Sequence, residues 1–268
     1  MFYETLRIEN LESGITTISL DRPEKRNAIN SQMMDEFVSI LNILEKDTET
    51  RVVILAAIGR TFCAGGDLKW MQDQARKPRQ AKIDEATRLA KMLERIDNFT
   101  KPIIAKVNGP AYGGGVGLLS VCDIVVAADD CQFALTETRL GLIPATIGPY
   151  VVRRLGEGAA RQVFMNAKSF SAHEAQRLGL VSQVVNSRQL GDATLEEADA
   201  FLRCAPGAVS EAKQLCLYLS RSSQKEQVAH SVEKLADRWE SDEAQKAIAS
   251  FFAQMGAKEQ MKNAKAAD

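Results

Sequence analysis

The amino-acid sequence predicts an α/β core followed by a helical module, and three observations lead to this fold class. Short β-branched runs such as Val52–Ala57 and Ile103–Val107 indicate buried strands. Small residues and an amphipathic segment follow each run, which is typical of repeated strand–turn–helix steps. From Leu195 onward only helical patterns remain, over about 195–204, 208–222, 225–240 and 243–254. We therefore divide the chain into a core of residues 1–192 and a C-terminal helical domain, residues 193–268, that ends in a polar tail.

The composition predicts a soluble, cytoplasmic protein whose main partner is neither nucleic acid nor a membrane. Hydrophobic residues make up 45% of 268 residues, charged residues make up 26%, and the formal net charge is -1. The 5 cysteines are scattered without a C-x-x-C pair, which indicates reduced thiols. The N-terminal residues are too charged for a signal peptide, and no apolar run approaches the roughly 20 residues that span a bilayer.

The N-terminal half begins with a predicted hairpin. Residues 3–9 and 15–20 are apolar runs on either side of a serine–glycine turn. Ser31 is a suitable N-cap for the amphipathic helix that follows. The run from Trp70 to Arg79 is polar and contains a proline, so it predicts a loop over a site. A second amphipathic helix then extends to Ile96.

The middle of the chain returns to strands. Ile124–Ala128 and Gln132–Leu135 indicate two of them, and Ala159–Ala167 indicates a helix. Ser171 and Glu174 have the spacing of a capping box, in which each side chain bonds the other residue's backbone N–H. The last clear strand is Leu180–Val185.

Two glycine-rich loops are the strongest functional signal from the residues alone. Gly113–Gly115 follow the strand at Ile103–Val107, and Gly65-Gly66-Asp67 follow the strand at Val52–Ala57. A helix that starts at such a loop has unpaired backbone N–H groups that an anion can approach. Two loops could each direct one N–H group at the same oxygen and stabilise an oxyanion. Two ordinary strand-to-helix connections would have the same spacing.

Most familiar catalytic motifs are absent, and one carboxylate remains for proton chemistry. The sequence has no G-x-S-x-G, Walker or H-E-x-x-H motif, and its only histidines are His173 and His230, so neither a serine triad nor a metal site is expected. Glu137 lies among apolar residues after a predicted strand. Such surroundings raise a carboxyl pKa and suit it to moving protons near neutral pH. The alternative is a salt bridge from Glu137 to Arg139 or Arg153.

Three ordered segments resemble the crotonase, or enoyl-CoA hydratase–isomerase, superfamily. They are FCAGGDLKWM at 62–71, the glycine-rich stretch at 107–145, and SAHEAQRLGLVSQVV at 171–185. The similarity extends over about residues 5–255 and is closest to bacterial 3-methylglutaconyl-CoA hydratase-like members. It implies a crotonase-like spiral of ββα repeats with a C-terminal helical trimerisation domain. It also implies a homotrimer or a dimer of trimers, an acyl-CoA substrate, and no cofactor, because coenzyme A is part of the substrate.

The resemblance also assigns roles to individual residues. Gly66 and Gly114 match the two backbone donors that hold the thioester oxygen, and Glu137 matches a catalytic glutamate. Phe251 matches a C-terminal coenzyme A contact, whereas Gln254 replaces a basic residue. The residues expected to bind coenzyme A or the acyl chain are Lys25, Arg26, Ala28, Ala64, Gly65, Asp67, Leu68, Trp70, Met71, Tyr112, Gly117, Leu142 and Ile147. Each of the two cations could instead be a solvated turn residue, and each pocket residue could instead belong to the core.

The predicted reaction depends on a departure from the family pattern. The first glutamate of the two-glutamate hydratases falls on Gly117. Hydration of a 2-enoyl-CoA, such as the branched 3-methylglutaconyl-CoA, would then rely on Glu137 alone or with help from Asp67 or Tyr112. Isomerisation of a 3-enoyl-CoA to a 2-enoyl-CoA is the alternative, because one base suffices for it. A non-catalytic relative that binds acyl-CoA or RNA is a third reading.

Overall fold

The computed structural model describes residues 3–11, 14–220, 224–250 and 253. The chain divides into two compact units, the first ending at Leu202 and the second beginning at Arg203. The predicted boundary after residue 192 falls inside helix α8 (Leu190–Leu202). This helix packs against three strands of the first unit, so it belongs there. The change in composition marks the last strand of the chain, whereas the division lies one helix later.

A six-stranded sheet forms the centre of the first unit, in the order β1-β2-β3-β4-β6-β9. The first pair is the predicted hairpin and is antiparallel, whereas all other neighbours are parallel. Val52–Ala57 is buried almost throughout, as expected for a strand covered on both faces. The strands are β1 (Leu6–Leu11), β2 (Ile15–Leu20), β3 (Val52–Ala57), β4 (Ile103–Val107), β6 (Ile124–Ala128) and β9 (Gln183–Val185).

A second sheet has three short strands, β5 (Ala111–Tyr112), β7 (Gln132–Ala134) and β8 (Phe170–Ser171). β5 pairs in parallel with β7, and Tyr112 lies opposite Ala134. Parallel strands end at the same edge of a sheet. The residues after Tyr112 and those after Ala134 therefore emerge side by side, which brings the second glycine loop close to Glu137.

Helices surround the sheets in the first unit and form all of the regular structure described in the second. α8 has been given above, and the predicted helices near residues 31 and 86–96 are confirmed. The helix predicted over 159–167 is shifted toward the N-terminus and ends at Phe164. Residues 242–250 are also helical. The other helices are α1 (Ser31–Lys46), α2 (Leu68–Arg76), α3 (Arg79–Asp97), α4 (Gly114–Ser120), α5 (Gly148–Leu155), α6 (Glu157–Phe164), α7 (Ala172–Arg177), α9 (Pro206–Leu219) and α10 (Gln224–Glu240).

The structure corrects one predicted helix cap and one predicted loop, and it confirms a second cap. Asn30, not Ser31, caps α1, and its side chain accepts the N–H of Met33 at 3.0 Å. The predicted loop from Trp70 onward is largely helix α2. Ser171 caps α7 as expected, by accepting the Glu174 N–H at 3.2 Å, but the capping box is only half formed, since the Glu174 carboxylate accepts from Arg177 instead.

Two further findings concern regions away from the core. In the described part of the chain, no helix combines the length and the apolar character that crossing a bilayer requires. The predicted contact at Phe251, the replacement at Gln254 and the polar tail lie outside the described residues.

Candidate active site

The two glycine loops adjoin in the structure. A Cβ atom placed on Gly65 would lie 3.1 Å from the carbonyl oxygen of Tyr112 and 3.8 Å from the nitrogen of Gly114. A Cβ atom placed on Gly115 would lie 2.7 Å from the carbonyl oxygen of Cys63, too close for any residue but glycine. The loops after β3 and after β5 therefore pack backbone against backbone.

The N–H groups of Gly66 and Gly114 have no protein acceptor in the part of the chain that the structure describes. Gly66 lies opposite Ile29 in a parallel bridge. Its two neighbours make the bridge hydrogen bonds: Ile29 donates to Gly65 at 2.7 Å, and Asp67 donates to Ile29 at 2.9 Å. The N–H of Gly66 therefore points away from Ile29. Gly114 is the first residue of α4, where an N–H group has no acceptor within the helix.

Glu137 lies directly beside the second loop. It begins a short 3-10 turn, Glu137–Leu140, after β7. A Cβ atom on Gly113 would lie 2.9 Å from Oε1 of Glu137, and Gly113 has φ of +47°. Both the close approach and the left-handed backbone require glycine there. The other oxygen, Oε2, is buried and has no hydrogen-bond partner among the described residues. Burial raises the pKa of Glu137 above its ordinary value.

The salt bridge considered for Glu137 does not form. Arg139 donates instead to the carbonyl oxygen of Ala167 at 2.8 Å. Arg153 is paired with Asp97. Glu137 is thus a carboxyl group beside the glycine loop with no cation bound to it in the described structure, as expected of a group kept available for proton transfer.

Gly117, which the resemblance places in the binding site, packs against Ile147 in the described structure. It is buried in α4, and a Cβ atom there would lie 2.3 Å from Cγ2 of Ile147. Ile147 is only 3% exposed, so it is core and its side chain fills the space beside Gly117. A second carboxylate therefore has no room at this position unless Ile147 moves.

We expect Gly117→Ala to lower the free energy of unfolding by about 1–3 kcal/mol, the usual cost of overpacking. Ala is the better helix former, so the loss would come from the contact with Ile147. The measurement is urea unfolding of Gly117→Ala, Ile147→Ala and the double variant. The double variant should be more stable than the sum of the two single losses predicts. Strict additivity would contradict the contact.

Asp67 has a structural role at the start of α2. Its Oδ1 accepts the N–H groups of Lys69 at 2.9 Å and Trp70 at 3.1 Å, and its Oδ2 is 3.0 Å from Nη2 of Arg22. Burial acts to raise the pKa of Asp67, but these hydrogen bonds and the arginine charge outweigh it and lower that pKa. A carboxylate held in this way is a helix cap and a poor partner for proton transfer, so it is an unsuitable helper for Glu137.

The predicted coenzyme A segment forms a turn held by Asn27. The Asn27 side chain accepts the N–H of Arg22 at 2.8 Å and donates to two carbonyl oxygens of the loop after β3. Lys25 is exposed and, with Arg22 and Lys69, lines a cavity of about 270 Å³ that Asp67 and Asp73 also line. Sequence analysis does not predict Lys69 as a binding residue, although Lys69 lies in the segment 62–71 that carries the resemblance.

The remaining predicted residues are spread between the loops and the surface. Ala28 is buried, and Ala64 donates its N–H to Arg26, itself exposed, at 2.9 Å. Leu68 and Leu142 are 77% and 52% exposed, so neither is part of the core. Trp70 and Met71 lie against the first loop: a Cβ atom on Gly66 would be 3.5 Å from Cζ3 of Trp70 and 3.3 Å from Sδ of Met71. The described residues contain no group of three His, Cys, Asp or Glu side chains that could hold a metal ion.

The sequence of this chain is similar to a known protein family and to several known enzymes. A sequence profile described as enoyl-CoA hydratase/isomerase matches residues 10–258. The 2,3-dehydroadipyl-CoA hydratase of Escherichia coli is 34% identical over 77% of this chain and 80% of its own. The human mitochondrial Delta(3,5)-Delta(2,4)-dienoyl-CoA isomerase is 33% identical over 81% of this chain and 69% of its own.

A solved structure agrees with the sequence comparison. The crystal structure of an enoyl-CoA hydratase from Shewanella pealeana has a TM-score of 0.90 to this chain at 32% identity, and the match covers 94% of both chains. The α/β core with C-terminal helices expected from the sequence is thereby confirmed. The chain belongs to the enoyl-CoA hydratase/isomerase family.

Proposed function

We propose that this protein adds water across the 2,3-double bond of a 2-enoyl-CoA thioester, with Glu137 as the acid/base. The observation that carries the proposal is the position of that carboxyl group. It is partly buried, has a raised pKa, and lies against Gly113, next to the loop in which the N–H of Gly114 is unpaired. A group that must both take up and release a proton near neutral pH benefits from such a pKa.

The reaction can proceed with one carboxyl group. The N–H groups of Gly66 and Gly114 donate to the thioester oxygen, which becomes negative as water attacks C3 and the electron pair of the double bond moves toward C1. Glu137 takes a proton from the attacking water as its oxygen bonds to C3. The same proton then passes to C2, which restores the carbonyl group and the carboxylate. The product is a 3-hydroxyacyl-CoA.

The cavity lined by Lys25 and Lys69 supports a place for the phosphates of coenzyme A, because its three cations outnumber its two acids, Asp73 and the Asp67 that pairs with Arg22. Ammonium groups are common phosphate partners in proteins. The cavity lies at the start of α2, and Trp70 lines it while also contacting the position of Gly66. A thioester held at Gly66 would therefore leave its coenzyme A portion within reach of these two lysines.

Isomerisation of a 3-enoyl-CoA is the second candidate, and the packing of Ile147 favours it. Gly117 has no carboxylate that could orient a water molecule, and Ile147 fills the space that a longer side chain at residue 117 would need. In this reaction Glu137 removes a proton from C2 and returns it to C4, so no water is needed. Hydration is favoured by the resemblance of residues 117–123 and 136–152 to bacterial hydratases and by the name of the E. coli relative.

A substrate panel in ¹⁸O-labelled water tests the choice. We would incubate the protein with crotonyl-CoA, 3-methylglutaconyl-CoA and 3-hexenoyl-CoA, and identify the products by mass spectrometry. Incorporation of ¹⁸O into a 3-hydroxyacyl-CoA is the expected result. Conversion of 3-hexenoyl-CoA to its 2-enoyl isomer with no labelled product would favour the isomerase and contradict the hydratase. Binding without any conversion would contradict both.

A further inference from the structure

Helix α2 turns one narrow face away from solvent. Of its 9 residues, Trp70, Met71 and Gln74 are half-buried, and all the others are exposed. The first two contact the position of Gly66, so this shielded face is the one toward the proposed oxyanion site. Gln74 lies four residues after Trp70 and three after Met71, so it is on the same face of the helix, one turn further along.

The Gln74 side chain is buried there without a partner. Both of its amide atoms, Oε1 and Nε2, are inaccessible to solvent and have no hydrogen bond within the described residues. By contrast, Nε1 of Trp70 on the same face donates to Glu85 at 3.0 Å. An unpaired buried amide costs about 1–3 kcal/mol, and the shielded face of a helix is normally apolar. Such a group is satisfied from outside the chain, by an ordered water or by a bound ligand, and the position of Gln74 on the face toward the proposed oxyanion site favours the ligand.

We propose that Gln74 selects the substrate, by donating a hydrogen bond from Nε2 to an oxygen carried by the acyl chain beyond the reacting double bond. The preferred substrates are then oxygen-bearing acyl-CoA thioesters, and plain hydrocarbon chains are disfavoured because they leave the amide unpaired. A hydroxyl group can satisfy both amide atoms, whereas a carboxylate can accept only from Nε2. This inference rests on the proposed use of an acyl-CoA thioester, but not on whether the reaction is hydration or isomerisation.

Gln74→Met is the informative variant, because methionine has nearly the same length and volume but no amide. Removing a buried polar group that lacks a partner should leave the melting temperature unchanged or raise it. The matched control is Gln72→Met on the exposed side of the same helix. We expect this control to bind every ligand as the unaltered protein does.

The test measures equilibrium binding of saturated, unreactive thioesters by titration calorimetry. The probes are hexanoyl-CoA, 5-hydroxypentanoyl-CoA and glutaryl-CoA, which end in a methyl, a hydroxyl and a carboxylate group. We expect Gln74→Met to weaken at least one oxygen-bearing ligand tenfold or more, and hexanoyl-CoA less than threefold. The ligand that loses affinity distinguishes a hydroxyl from a carboxylate.

An equal change for all three ligands, or no change for any, would overturn the role of Gln74. Because the probes do not react, this outcome would leave the proposed hydration untouched. Conversely, failure of the ¹⁸O experiment together with selective binding here would reject the reaction and keep the substrate class.

Discussion

Glu137→Gln is expected to lower kcat by about 10²- to 10⁴-fold, the usual contribution of a positioned acid or base. Affinity for the unreactive butyryl-CoA should change less than about tenfold, or 1.4 kcal/mol, because glutamine has the same shape. The measurement is turnover of crotonyl-CoA together with calorimetry on butyryl-CoA. If the variant keeps turnover within fivefold of the unaltered protein, Glu137 is not the acid/base.

The control for this loss is Glu174→Gln. Glu174 is an acid on α7 that pairs with Arg177 at the surface, and its replacement should leave turnover unchanged. Folding is a second control. A carboxyl group whose pKa is raised by burial stabilises the folded state below its unfolded pKa, and that stability is lost as pH rises through the folded pKa. Glutamine does not ionise, so Glu137→Gln should be at least as stable as the unaltered protein at neutral pH.

The features that sequence analysis predicts well are those set by short-range patterns. The strands Val52–Ala57 and Ile103–Val107 have the observed bounds, because their β-branched residues are covered on both faces of a parallel sheet. The capping of α7 by Ser171 follows from the identity of two residues three apart. Glu137 has the raised pKa expected of it, but the cause differs from the prediction: the apolar residues that follow it, Leu140, Leu142 and Ile143, are more than half exposed, and its carboxyl group lies against Gly113 instead.

Helix α2 shows where local reasoning fails. Its sequence, LKWMQDQAR, is polar and precedes Pro78, so it resembled a loop. The helix nevertheless begins at a recognisable cap, since Asp67 accepts two N–H groups of its first turn. The proline lies just beyond the C-cap, where it ends a helix without disturbing it. The resemblance assigns Asp67 to binding, whereas in the structure it is the N-cap of α2.

Two features of the site depend on contacts that are distant in sequence. Ile147 fills the space beside Gly117, although thirty residues separate them in the sequence. The amide group of Gln74 is buried because this residue lies on the shielded face of α2, whereas the residues on either side of it in the sequence are exposed. No pattern within a single segment encodes either relationship, because each depends on how two segments pack.

Gly114→Pro is expected to reduce kcat by about 10²- to 10³-fold, which is the usual cost of losing one oxyanion donor. Gly114 is the first residue of α4, where proline is well tolerated because the N–H it lacks has no acceptor in the helix. The substitution thus removes the proposed donor and leaves the helix in place. The measurement is turnover of crotonyl-CoA, with circular dichroism as the check on folding.

Gly114→Ala separates the missing N–H group from the added side chain. A Cβ atom at this position lies 3.0 Å from Cδ1 of Ile29, the flexible end of that side chain, in both variants. Only alanine keeps the backbone donor, so Gly114→Ala should retain activity within about tenfold while Gly114→Pro does not. If the two variants lose activity equally, the loss comes from crowding against Ile29, and the amide of Gly114 does not stabilise the thioester oxygen. A selective loss in the proline variant would instead place the thioester oxygen at the N–H side of Gly114, because proline puts its Cδ atom where that hydrogen lies, while both variants share the contact with Ile29.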